Sequence, residues 1–539
     1  MRAHPDIRST RWAALAALLT TSVLLTACGS GGGGTDSGSG PAKSGGTLTF
    51  AVGSDAGCVD PQQVGSNDTI YSVRQIVDSL TDQDPATGKI VPWLAKSWDI
   101  SSDATTFTFH LRSGVTFSDG SELTAQVVKD NFDAVPNLGA LGTLAEGYLS
   151  GVKSTTVVDP LTVRVTFQRP NAQFLQATST HSLGIESSAS AKRTPQQKCS
   201  QGVVGSGPFV LKQYVQNQSI TLAKRTGYAW GSSLWHKSGE AYLDRIVFKV
   251  VPEAGVRAGS LQSGQVDAIS SVGKANEAAL KGGQVTLQRR ANPGVVFGLA
   301  LNNSRPTLKD ARVRQAIGFA IDRAQIATTV FPTGTQPATS VLAHTTPDYT
   351  NLSSDLATDA AKAKSLLDAA GWKAGSDGIR TKDGKQLSLT VDWIPNSATN
   401  QPALELIQQQ LKAVGVGLTL KQLQVTQLAP TLQSGDFDAA WSNITRADPD
   451  ILRSSFSTKL ANFYRLTAGS LDTALTRQAA TTDATKRKQL VEQAQQLLVR
   501  SAAYVPVVEL QTQIGVSKKV HGLNFDASSR IQLHDTWIG

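Results

Sequence analysis

The chain has 539 residues and a formal net charge of +9, with 40% hydrophobic and only 17% charged residues. The length gives room for about two or three domains, and the hydrophobic fraction supports real cores, so wholesale disorder is excluded. The positive charge forms no dense Lys/Arg block, which excludes the clustered basic face of a nucleic-acid binder. Three cysteines are too few for a disulfide scaffold, a multi-cysteine zinc site or an iron–sulfur cluster. Seven scattered His argue against a His-rich metal site, and no cofactor is expected.

Arg2, Arg8 and Arg11 make a positive start, and the run from Trp12 to Leu25 is uncharged and mostly apolar. That run is shorter than the ~20 residues a transmembrane helix needs, and with the basic start it reads as a signal peptide. It ends in Leu25-Thr26-Ala27-Cys28. This quartet resembles the bacterial lipobox, which implies cleavage before Cys28 and lipidation of its thiol. The other reading is an ordinary secretory signal with an incidental cysteine. Gly29 to Gly46 is nearly all Gly and Ser and reads as a flexible tether. Cys58 and Cys199 are then the remaining pair, and an oxidising compartment favours a disulfide between them over two buried thiols.

Thr47 to Val52 alternates as a half-buried strand should, and Gly53 to Gly57 breaks it into a loop. Thr105 to Leu111 alternates again, with a turn at Arg112-Ser113-Gly114 and a return at Val115 to Phe117, which predicts a hairpin. Thr124 is placed to cap a helix carrying Val127, Val128 and Phe132. Thr155 to Val158 and Thr162 to Phe167 predict a second strand pair around Asp159-Pro160. Gly205-Ser206-Gly207-Pro208-Phe209 opens a strand, and Leu243 to Val251 is another. A helix over Glu253 to Gln262 stops at Ser263-Gly264, before a short strand at Val266 to Ile269. Residues 312–323 predict one helix, with Val313, Ala316, Ile317, Ala320 and Ile321 on one apolar face and Asp310 as its cap. Helices over Ala360 to Ala370 and Ala403 to Val414, strands over Leu387 to Trp393 and Val416 to Leu420, a long helix over Asp483 to Arg500 and a strand over Val505 to Leu510 complete the pattern. Alternating helices and strands signal α/β sheets with helices on their faces.

Several of these segments together resemble the family 5 extracellular solute-binding proteins, the peptide- and nickel-binding components of ABC importers. The residues are Gly88-Lys89-Ile90-Val91-Pro92-Trp93-Leu94-Ala95-Lys96-Ser97-Trp98, Phe107 through Gly120 with Leu123-Thr124-Ala125, and Gly205-Ser206-Gly207-Pro208-Phe209. They continue with Leu261 to Asp267, Asp310 to Ile317 with Ala320-Ile321-Asp322-Arg323, and Ala363 to Trp372. The resemblance implies an α/β, two-lobed periplasmic-binding fold of type II, the large variant with an extra inserted domain. Lobe I maps to 47–90, 201–295 and 508–539, the inserted domain to 91–200 and lobe II to 296–507, after a signal peptide at 1–27 and a tether at 28–46.

The resemblance also implies a solute enclosed between the lobes, where closure buries its surface and places a few polar groups on it. The expected ligand-binding residues are Asp55 from lobe I, and Trp393, Asn396, Trp441, Asn443, Thr445, Arg446, Asp448 and Tyr464 from lobe II. For Trp393 and Trp441 the alternative is core packing. For Arg312, Arg314, Asp322 and Arg323 structural ion pairs are the expectation, against a ligand role. Peptide-binding members carry an Asp where this chain has Thr445, with Arg446 beside it. A hydroxyl next to a guanidinium suits an acidic or neutral group better than a buried ammonium.

The expected function is a non-enzymatic, lipid-anchored, monomeric receptor. It would take a peptide or other small polar solute and pass it to an ABC permease with its ATPase at the outer face of the cell membrane. There is no GxxxxGK[ST] loop for ATP hydrolysis. A secreted hydrolase is the alternative of another class, against which no G-x-S-x-G or H-E-x-x-H stands in the chain. A signalling receptor on the same fold is the third reading.

Overall fold

The computed structural model describes residues 41–395 and 397–539. Cys28, the signal and tether up to residue 40, and Asn396 therefore lie outside the described residues. Three sheets organise the rest. The first has seven strands in the order Val285–Ala291, Gln511–Ser517, Ala268–Ile269, Thr47–Val52, Arg245–Val250, Ser219–Lys224, Phe209–Val215. Thr47–Val52 runs parallel to both of its neighbours, and the outer pairs are antiparallel. The second has five strands in the order Gly417–Gln422, Ser388–Trp393, Ala439–Thr445, Gly294–Leu301, Tyr504–Val508. The third has four antiparallel strands in the order Ala95–Ile100, Thr106–Leu111, Thr162–Phe167, Val152–Asp159. The chain passes from the seven-stranded to the five-stranded sheet between Ala291 and Gly294, and returns between Val508 and Gln511.

Gly294–Leu301 is buried at all eight positions, because helices cover both faces of its sheet. Its sequence, GVVFGLAL, is accordingly a continuous apolar run without alternation, which hides it from a period-two search. Helices Ala311–Ala320, Ala360–Ala369 and Asn400–Lys412 bury Val313, Ile317, Leu367, Leu404 and Ile407 against one face. Ile451–Phe456, Ser470–Ala479 and Ala484–Ser501 bury Phe456, Leu475 and Leu498 against the other.

Two local readings change. The strand Thr106–Leu111 does not return through Val115 to Phe117; it pairs with Ala95–Ile100 before it and Thr162–Phe167 after it. Phe107 and Phe109 pack on Phe174, so a through-space aromatic core selects those partners over the nearest segment in the chain. The helix expected over 312–323 is two helices, Ala311–Ala320 and Arg323–Val330. Ile321 is extended at φ −89° and ψ 117°, and the Asp322 side chain accepts from the Gln325 N–H to start the second helix. The caps Asp310 and Thr124 sit where the sequence puts them, accepting from the N–H groups of Arg312 and Val127.

The Gly205-Ser206-Gly207 run has a packing reason. A Cβ on Gly205 would fall 2.0 Å from the Ile76 carbonyl oxygen, and one on Gly207 2.5 Å from the Ile76 carbonyl carbon. Only glycine lets these backbones touch. Cys58 and Cys199 are joined as a disulfide across 141 residues of sequence. Beside the bridge lies a buried charge cluster. Lys198 Nζ is 3.3 Å from Glu186 Oε2 and 3.9 Å from Asp60 Oδ2, and it donates to Gln62 Oε1 at 3.0 Å.

Candidate functional site

The strand Ala439–Thr445 carries the predicted cluster toward the inter-sheet crossing. Thr445 pairs with Gly294, and the Arg446 N–H donates to the Pro293 carbonyl at 3.1 Å. Gly294 has φ +110°, and a Cβ there would fall 2.2 Å from the Ile444 carbonyl oxygen. The crossing segment and the end of this strand are therefore in backbone contact, which a side chain at residue 294 would force apart.

From this strand end the Arg446 side chain reaches the helix Thr143–Leu149. Its guanidinium carbon lies 4.4 Å from the centroid of the Tyr148 ring, a cation–π contact. A Cβ on Gly147 would meet Nη2 at 2.9 Å, so the glycine keeps the room the guanidinium occupies. Arg446 Nε is buried with no hydrogen-bond partner among the described residues. Further links cross the same region. Gln83 Nε2 donates to the Ala447 carbonyl at 3.2 Å, Gln176 Nε2 donates to Gln83 Oε1 at 3.1 Å, and the Ala172 N–H donates to the Ala479 carbonyl at 2.9 Å.

The charges around Arg446 are already matched to one another. Asp448 takes a two-pronged contact from Arg487 at 2.5 and 3.1 Å, and Asp450 takes one from Arg453 at 2.7 and 2.7 Å. Asp448 is thereby committed to an ion pair and a turn, since it also accepts from the Asp450 N–H at 2.8 Å. Arg446 is the guanidinium of this stretch that forms no ion pair among the described residues. A second unmatched cation lies near the C-terminus. Arg530 is buried, and its Nε lacks a partner among the described residues. His181 is pushed well below its ordinary pKa, by burial first and then by the charges of Arg530 and Arg74, and so stays neutral.

The other predicted residues are placed differently. Trp441 is in the core: it stacks on Phe297 at 5.2 Å, and its Nε1 donates to Asn400 Oδ1 at 3.1 Å. Trp393 is buried in the same core, with Nε1 unpartnered among the described residues. Tyr464 is buried against Phe456, and burial pushes its phenol up to about 12. Asp55 secures its own loop, accepting from Tyr214 Oη, the Asn217 N–H and the Gly57 N–H at 2.8, 2.8 and 3.0 Å. Asn443 and Thr445 are half-buried on the strand leading to Arg446. The structure thus brings Asn443, Thr445 and Arg446 together and assigns Trp441, Tyr464, Asp448 and Asp55 to packing, an ion pair and a loop. Sequence reasoning missed Tyr148, Gly147 and Gln83. Nothing in the local pattern marks them, because their partners lie hundreds of residues away.

Among the described residues, no group of three or more His, Cys, Asp and Glu is placed to hold a metal ion, and no helix is long and apolar enough to cross a membrane.

A model of the bacterial extracellular solute-binding proteins, family 5 middle, matches residues 89–462. The chain belongs to this family. The glutathione-binding protein GsiB of Salmonella typhimurium is 26% identical over 504 residues, covering 89% of this chain and 92% of its own length. The nickel-binding periplasmic protein of Escherichia coli is 25% identical over 483 residues, covering 85% and 89%. NikA from Brucella suis, solved with Fe(III)-EDTA, superimposes with a TM-score of 0.79 at 24% identity, covering 92% of this chain and 100% of that one. The oligopeptide-binding protein AppA from Bacillus subtilis, solved with a nonapeptide, gives 0.73 at 20% identity over the same shares. The fold is the two-lobed type II periplasmic-binding architecture. This family 5 protein is an extracytoplasmic solute-binding component of an ABC importer, a transport receptor and not an enzyme.

Proposed function

We propose that this receptor is lipid-anchored through Cys28, and that it closes lobe II (296–507) onto lobe I and the inserted domain around a small polar solute bearing an acidic group, such as a peptide-like acid. The observation that carries this reading is Arg446. It is a half-buried cation at the meeting of two elements, held over an aromatic ring, with a buried Nε that no protein group satisfies among the described residues. A buried donor left unmade costs about 1–3 kcal/mol, more when charged. A carboxylate supplied by the solute would remove that cost and add a charge-assisted hydrogen bond. Thr445, where peptide-binding relatives have an acid, points the same way, since it offers a hydroxyl and no countercharge for an ammonium. The likeness to a glutathione-binding protein agrees with an acidic, peptide-like cargo.

Native mass spectrometry of the purified protein should show a co-purified solute. Calorimetry then compares glutathione, a neutral dipeptide amide and a nickel chelate as probes. Arg446→Ala should weaken the acidic solute at least tenfold, about 1.4 kcal/mol, and leave the neutral one unchanged. Equal affinity of Arg446→Ala and the wild type for the acidic solute refutes the assignment.

A further inference from the structure

A recess elsewhere in the molecule has the makings of a binding site that the solute reading does not use. It lies on the helix-covered side of the five-stranded sheet, where the C-terminal part of Ala311–Ala320 meets Ala360–Ala369, the end of Ala484–Ser501 and the start of Tyr504–Val508. Its volume is about 220 Å³. Phe319, Leu366, Val499 and Val505 give it apolar walls.

Arg323 lines this recess and is only 4% exposed. Its Nε donates to the Pro506 carbonyl at 2.7 Å, and its Nη1 donates to the carbonyls of Leu356, Gly318 and Ile321 at 2.8, 3.1 and 3.2 Å. Pro506, Leu356 and Gly318 belong to the wall themselves. Nη2 has no partner among the described residues. No carboxylate pairs with this guanidinium there, and burial lowers its pKa to about 10. The rim adds Lys362, whose Nζ stands 3.9 Å from the centroid of the Phe319 ring, and Arg500, which is 3.3 Å from Asp355. The arrangement is a recess with apolar walls, a buried guanidinium in its lining that no carboxylate pairs among the described residues, and a cationic edge whose acid is already paired.

We propose that this recess is a second binding site, for a small organic carboxylate with an apolar body, held by the Arg323 guanidinium with Lys362 at the rim. A bulky polyanion does not suit it, because the walls are mostly apolar and the volume is below the ~300 Å³ at which drug-sized sites begin. The carboxylate would give the guanidinium the countercharge it lacks, and the apolar body would cover Phe319 and Leu366.

The test uses benzoate as probe and benzamide as its neutral counterpart, followed by calorimetry on the whole chain. Arg446→Ala is the background, so that any benzoate bound at the solute site does not count. Benzoate should bind with a Kd of about 1 mM or tighter, and benzamide at least tenfold more weakly. Gly318→Leu should abolish benzoate binding. A Cβ at Gly318 meets nothing within 4 Å, and leucine suits a helix interior, so this variant fills the recess without disturbing the fold. Arg323→Met should also abolish binding; if that variant does not fold, Gly318→Leu decides. Equal binding of benzamide, unchanged binding in Gly318→Leu, or no binding up to about 10 mM overturns the proposal.

Discussion

Lys198 offers the sharpest test of how this fold is held together. Its ammonium is 1% exposed and faces Glu186 and Asp60, both fully buried. Burial, and then the Asp60 carboxylate beside it, push Glu186 up to about 8, while Lys198 pulls the other way. Glu186 therefore holds a proton, shared toward the neighbouring Asp60 carboxylate, more tightly than a free carboxyl does, and Lys198 is the cation that faces the pair. Lys198→Met keeps the methylene stem and removes the cation. At an effective dielectric constant of about 20, a unit charge 3.3–3.9 Å away interacts by roughly 4–5 kcal/mol. Measured losses on breaking one side of a buried pair are about 3–5 kcal/mol. The expected loss for Lys198→Met is therefore about 3–5 kcal/mol, read from the urea midpoint at constant slope by tryptophan fluorescence. Adding Asp60→Asn removes the stranded charge and should return at least half of that loss. A single variant costing under about 1 kcal/mol, or a double variant no more stable than the single, refutes the idea that charge balance holds this cluster.

Other outcomes follow from the same structure. Glu186 has its folded-state pKa raised, so its contribution is full below the unfolded value near 4.5 and is lost as pH rises through about 8. Glu186→Gln imitates the protonated acid, so its stability relative to wild type should improve from pH 5 to pH 8.5, as followed by thermal melts; a flat difference counts against the shared proton. Reduction of Cys58–Cys199, or the double Ser variant, opens a loop of 141 residues and should cost up to about 5 kcal/mol by the chain-entropy relation, checked by denaturation with and without reductant. Gly205→Ala should destabilise by about 1–3 kcal/mol, since its Cβ would meet the Ile76 carbonyl. Gly259→Ala, in the open middle of the helix Ala254–Gln262, should stabilise by about 0.5–1 kcal/mol, and scanning calorimetry checks both glycine variants.

Much of the fold was legible because it is written in short-range patterns. Alternation in Thr47–Val52 and Ser388–Trp393 and the caps Thr124 and Asp310 each depend on a handful of neighbouring residues. The break at Ile321–Asp322 was not legible, since the apolar period runs straight through it. The decisive groups there are through-space partners: the Gln410 side-chain oxygen, which accepts from the Asp322 N–H at 3.0 Å, and the carbonyls around Arg323. The strand Gly294–Leu301 gave no alternating signal because both of its faces are buried.

The site divides in the same way. Asn443, Thr445 and Arg446 share one strand and its end, and their types already favoured an acidic or neutral solute over an ammonium. Whether a tryptophan or an aspartate nearby serves the core or the solute depends on what comes to meet it. Phe297 and Asn400 claim Trp441, Arg487 claims Asp448, and Phe456 claims Tyr464. Local spacing determines most of the helices, strands and caps, and the motif resemblance points to the family; neither determines which charges are left over. That is a difference between partners supplied by distant segments, and only folding brings Tyr148 to Arg446 while leaving its Nε unpaired.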